Sequence, residues 1–154
     1  MDFEVLDRRI ASFMRRWGIA ALRFSLAIIF IWFGMLKPLG MSPAAPLVLM
    51  TVDWMPGLSS EAWLSVIGWW EVLIGVTFLF HKTIRIAIAL LAMQMVGTFL
   101  PLLILPEVTF QHGGVPLLPT MEGQYIIKNL LIISAALVVG GTVRRGAVTE
   151  KIEV

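Results

Sequence analysis

The sequence predicts an all-α fold: an integral membrane four-helix transmembrane bundle preceded by an N-terminal interfacial amphipathic helix. Three observations predict it. The 154 residues are 58% hydrophobic and 14% charged, where soluble domains run at roughly 45–50% and about 25%. The apolar residues gather into four runs, 17–39, 62–80, 86–105 and 124–143. Each run is near the ~20 residues with which a helix crosses a ~30 Å hydrocarbon core. Outside these runs, every Lys and Arg lies before the first, between the second and third, or after the fourth. Backbone groups in lipid find no water, so apolar runs of this length form helices.

The elements follow in order. In 1–16, Phe3, Leu6, Ile10, Phe13 and Met14 recur at helical spacing, continued by Trp17. Asp7, Arg8, Arg15 and Arg16 fall elsewhere on the wheel. This pattern reads as a helix lying in the membrane interface. The alternative is a charged leader that continues the first span. The connection after the first span carries Pro38, Pro43, Pro46 and Pro56. Pro46 suits the first turn of a short helix there. Ser59 or Ser60 is placed to cap the second span. "HKTIR" then links spans two and three with Lys82 and Arg85. The connection 106–123 again holds prolines and a Gly-Gly pair, and both long connections are expected to fold over one mouth of the bundle. The chain thus divides into an interfacial helix (1–16), a four-span domain (17–143) and a tail (144–154).

The basic segments also give an orientation. The two long connections contain Asp53, Glu61, Glu107 and Glu122 and no Lys or Arg. By the positive-inside rule both termini are expected in the cytoplasm, as in a multi-pass protein of a bacterial cytoplasmic (inner) membrane. The net charge of +2 is small, so no nucleic-acid partner is read from it. The chain has no cysteine, which excludes disulfides, thiol catalysis and thiolate metal sites. His81 and His112 are expected at opposite ends of the bundle, and no metal site is assigned.

Ionisable groups within spans are costly and usually face a bundle interior. Here they are Arg23, Lys37, Glu71 and Lys128, joined by the neutral Gln94, Thr98, Tyr125 and Asn129. Helical side chains lean toward their own N-terminus. Spans one and two run in opposite directions, so Lys37 and Glu71 lean toward each other. Lys37 or Lys128 is therefore expected to neutralise Glu71. Tyr125, Lys128 and Asn129 share one face of the fourth span, and Gln94 and Thr98 share one face of the third. Two roles stay open for Glu71: an ion pair that fixes packing, and the polar end of a ligand or proton site. Trp69, Trp70 and Phe99 are candidates for its apolar lining. Gly34, Gly68, Gly75 and Gly97 are read as points of close helix contact.

"LRFSLAIIFIWFGMLKPLG", "IGWWEVLIGVTFLF" and "EGQYIIKNLLIISAALVVGG" resemble the DoxX-like family of small four-span bacterial membrane proteins. The resemblance rests on Arg23, Gly34, Lys37, Gly68, Glu71, Gly75, Gly123 and Lys128. The spacing of the last two is nearest to a branch associated with reactive-chlorine resistance. Another branch, DoxD, supplies a subunit of a thiosulfate:quinone oxidoreductase. The resemblance implies a four-span fold and a link to quinone or oxidative-stress systems. The expected function is a non-catalytic membrane protein or subunit that binds a quinone, a lipid-like ligand or a redox partner. Its ligand-binding residues would be Glu71, Lys37, Lys128, Tyr125, Gln94, Trp69 and Trp70, with no intrinsic cofactor. Expected partners are the lipid bilayer, subunits of a membrane redox complex or further copies of the chain. The alternatives are a small proton-coupled transporter that titrates Glu71, and a structural assembly subunit.

Overall fold

The computed structural model describes residues 3–111 and 115–149, with side chains given up to Val143. His112 and the basic side chains of the expected tail, Arg144, Arg145 and Lys151, lie outside the described side chains. The helices are α1 (Phe3–Leu36), α2 (Ala45–Val52), α3 (Ser60–Leu79), α4 (Ile84–Phe99), α5 (Pro101–Ile104), α6 (Pro106–Thr109), α7 (Met121–Ile127) and α8 (Asn129–Thr149). A 3₁₀ turn at His81–Thr83 leads into α4. Among the described residues there is no strand, only a single bridge between Phe110 and Pro119. Four stretches are long and apolar enough to cross a membrane: Phe3–Leu36, Ser60–Leu79, His81–Ile104 and Met121–Val143. The expected all-α four-helix bundle is what the chain forms.

The spans close into a ring. α1 packs on α3 and on α8, α3 packs on α4, and α4 packs on α8. Leu26, Ala27 and Phe30 of α1, Ile74 and Phe78 of α3, Ala87 and Leu91 of α4, and Ala136 and Val139 of α8 fill the centre. Large apolar side chains also cover the outside of the spans: Trp32 is 64% exposed, Val96 74% and Leu131 75%. Such a belt is unstable in water and ordinary in a bilayer, so the protein is read as a multi-pass membrane protein.

The helix boundaries differ from the expected ones at four places. The helix α1 passes through 16–17 without a break. Among the described residues the amphipathic segment expected to lie in the interface and the first span are thus one continuous helix. The reason is local: no proline lies in 3–36, and Gly18 is the only glycine before Gly34. Next, the third span is cut at Leu100. Pro101 has no N–H to continue the ladder, so it opens α5 instead. The fourth span is cut at Lys128. There the Asn129 amide donates to the carbonyls of Tyr125 (3.0 Å) and Ile126 (3.1 Å), inserting itself into the helical ladder. In addition, α8 continues through Thr149, beyond the expected end of the span at 143.

The long connections fold back as expected. Pro46 lies in the first turn of α2, which packs on α3 and α5. Ser59 caps α3 by accepting from the Ala62 N–H at 3.2 Å. In the second connection Thr120 caps α7, and its hydroxyl donates to Val108 O at 2.7 Å. Gly123 lies directly against the Thr109 carbonyl, which leaves no room for a Cβ.

Candidate functional site

The polar centre of the bundle is built on a glycine seam. Gly34 and Lys37 are three apart on the first span, and Gly68 and Glu71 are three apart on the second. The two spans are antiparallel, so each glycine faces the charged residue of the other. A Cβ on Gly34 would stand 2.8 Å from Gly68 O and 2.9 Å from the Glu71 Cβ. One on Gly68 would stand 2.7 Å from Gly34 O and 2.8 Å from the Lys37 Cβ. Gly75 repeats the contact two turns on, against Ala27 O and Ile31. Small residues let the backbones approach this closely, which is how helices associate where lipid supplies no hydrophobic drive.

The end of α1 aims the lysine. Pro38 brings no N–H for Gly34 O, and the Lys37 N–H donates there instead at 3.2 Å. Gly40, at φ 70°, turns the chain out of the helix. The Met41 N–H then reaches Leu36 O at 2.9 Å, and the Gly40 N–H reaches Lys37 O at 3.1 Å. This paired closure is a Schellman motif, for which a left-handed glycine is the usual residue. It leaves Lys37 on the last turn with its side chain buried against α3.

Lys37 Nζ donates to Glu71 Oε2, forming an ion pair with both side chains largely buried. Gln94 Nε2 donates to Glu71 Oε1 at 3.0 Å. Each carboxylate oxygen thus has one donor, from two different neighbouring helices. The ammonium is less satisfied. Among the described residues Glu71 is the one acceptor recorded for its three N–H groups. The Gln94 side-chain oxygen likewise has no recorded donor among them.

The other candidate residues divide. Trp70 is half-buried against the core, and its indole N–H donates to Leu90 O at 3.3 Å, one turn from Gln94. Phe99 also packs against the core. Trp69 is 55% exposed and turns away from the ring. Lys128 is exposed, with its ammonium 5.2 Å from the centre of the Tyr125 ring. Tyr125 itself is exposed. Tyr125 and Lys128 do share a face, as expected, but Gly123 and Ile126 occupy the buried side of that helix. The structure therefore chooses Lys37 over Lys128 as the partner of Glu71, and it does not bring Lys128, Tyr125 or Trp69 to it. Thr98 donates back to Gln94 O at 3.0 Å, so its hydroxyl proton is engaged.

Sequence reasoning placed Gln94 among the ligand-binding residues and missed its bond to Glu71. The signal was faint: a lone amide in an apolar span, with nothing to show which way it points. No protein-family model, no curated protein and no solved structure matches this chain.

Proposed function

We propose that this chain is a non-catalytic membrane subunit that holds an oxygen-bearing apolar ligand, of the quinone or lipid type, beside Lys37, Glu71 and Gln94. One observation carries the reading. The buried Lys37 ammonium is bonded to Glu71 and has that one recorded acceptor among the described residues for its three N–H groups, so it retains donor capacity for a further acceptor. A ligand carbonyl beside it would accept a second bond, with Trp70 and Phe99 at the apolar side. The same glycines, lysine and glutamate are those of the DoxX-like resemblance, so the proposal includes that kinship and its link to quinone-dependent redox partners.

A second reading has its own support. Both Glu71 oxygens are already bonded, and the glycine seam fits closely around them. That arrangement also suits a subunit whose ion pair serves assembly alone. The double variant Glu71→Gln with Lys37→Met separates the two. Breaking a buried pair costs about 3–5 kcal/mol, whereas replacing both partners can be neutral. A melting curve in detergent and extraction of lipid-soluble molecules are run on one sample. The expected result is a stable protein that has lost its co-purifying ligand. Wild-type ligand content in a stable double variant overturns the ligand reading and leaves the assembly role.

The proposal places the chain in a bacterial cytoplasmic membrane with both termini inside. The basic residues of 8–16 and of 82–85 support this, because both groups lie at one end of the ring. The chain lacks cysteine, so a single introduced one is a clean probe. An impermeant thiol reagent outside intact cells should label Leu117→Cys, whose side chain is 89% exposed. It should spare Lys82→Cys. The opposite pattern reverses the orientation.

A further inference from the structure

At the end of the bundle away from Lys37, α1, the 3₁₀ turn and α8 enclose an open cavity of about 290 Å³. Its polar wall is Arg16, Arg23, His81 and Thr142. Ile84 and Val139, both fully buried, form its apolar floor. Arg16 and Arg23 are seven residues apart, two turns along one face of α1. The Arg23 guanidinium rests 5.0 Å from the Phe24 ring centre, and Arg16 lies 5.8 Å from that of Trp17.

Among the described residues the cavity is rich in donors and holds no carboxylate. Arg23 Nε is buried and has no hydrogen-bond partner among the described residues. A guanidinium offers five N–H donors and no acceptor, and a buried N–H left unbonded is costly. The ion pairs among the described residues are Arg8 with Glu4 and Lys37 with Glu71, and neither reaches this cavity. Among the described residues no Asp or Glu contributes to its wall. Two guanidinium forks and an imidazole around an apolar floor suit an anion that carries several acceptor oxygens and an apolar attachment. Arginine forks match phosphate oxygens in pairs. Basic pockets between spans, on the side where the connections are basic, take anionic lipid headgroups.

We propose that this cavity binds a phosphate group, presented by the headgroup of an anionic phospholipid or as free phosphate. Arg23 is the inner clamp and Arg16 the outer one, with His81 donating from the 3₁₀ turn. The headgroup source places the acyl chains along the exposed apolar surface of the spans. This site is independent of the Lys37–Glu71 reading, from which Arg23 is about 21 Å distant along α1 at ~1.5 Å per residue.

The test is thermal melting of the full chain in a neutral detergent at fixed ionic strength. Three additions are compared: dioleoyl phosphatidylglycerol, dioleoyl phosphatidylcholine and inorganic phosphate. Phosphatidylglycerol is expected to raise the melting temperature by several degrees; phosphatidylcholine, whose phosphate is offset by its own choline ammonium, is expected to leave it unchanged, and an equal rise with it overturns the proposal. Arg23→Gln should abolish the rise. Arg16→Gln, at an exposed position where folding is secure, should at least halve it. Arg8→Gln with Arg9→Gln removes two charges from α1 outside the cavity, twice the loss in either single variant, and should keep the full rise. A rise with inorganic phosphate that is lost in Arg16→Gln supports the phosphate site and identifies water as its source. The proposal is overturned if neither phosphate source raises the melting temperature. It is equally overturned if Arg16→Gln keeps the full rise, or if the Arg8 and Arg9 variant loses as much.

Discussion

The seam between α1 and α3 and the seam between α4 and α8 are both made with small residues, yet they work differently. On the first, Gly34, Gly68 and Gly75 lie against the opposing backbone. On the second, Gly140 meets only the far end of the Ile88 side chain, and Ala87, Ala135 and Ala136 sit among Leu91 and Val139. The first seam is a backbone contact that sets a buried charge on each side. The second is side-chain packing, which tolerates adjustment because a rotamer moves more cheaply than a helix axis. A glycine in a span is thus informative through what faces it, and Gly97, with nothing within 4 Å, faces only open space.

Four substitutions sharpen or break this comparison. The largest effect is expected from Lys37→Met. It leaves Glu71 with the Gln94 amide alone and should cost about 3–5 kcal/mol, read as a fall in melting temperature in detergent. A variant that melts with the wild type would mean that the seam holds without its ion pair. Next comes Gly68→Ala. Its Cβ would meet Gly34 O and the Pro38 ring, both at 2.7 Å, so a backbone must move at a cost of about 1–3 kcal/mol. Co-purifying ligand should fall with it, since Lys37 and Glu71 are pushed apart. Gly140→Ala should cost less than about 1 kcal/mol, because Ile88 Cδ1 can swing away from its 2.6 Å approach. Equal losses in Gly68→Ala and Gly140→Ala would erase the distinction between the seams. The smallest effect has the opposite sign. Gly97→Ala, inside α4 and facing open space, should raise stability by about 0.5–1 kcal/mol through helix propensity.

The sequence by itself determined the number of spans, because length and hydropathy suffice where the backbone must satisfy itself in lipid. It determined that Pro46 lies in the first turn of α2 and that a serine, Ser59 or Ser60, caps α3, since both are local chemistry; the structure chooses Ser59. It also brought Lys37 toward Glu71, because opposite helix directions and the lean of side chains are fixed by the chain's path. The rotation of each span was left to tertiary structure. Trp70 turns in and Trp69 turns out; Ile126 is buried and Lys128, two residues later, is not. In water, the apolar face of a helix marks its inner side. In lipid, both faces are apolar, and the pattern loses that meaning. Which face turned inward was decided by where backbones could approach, at Gly34, Gly68 and Gly75, and by which polar groups could meet across that approach.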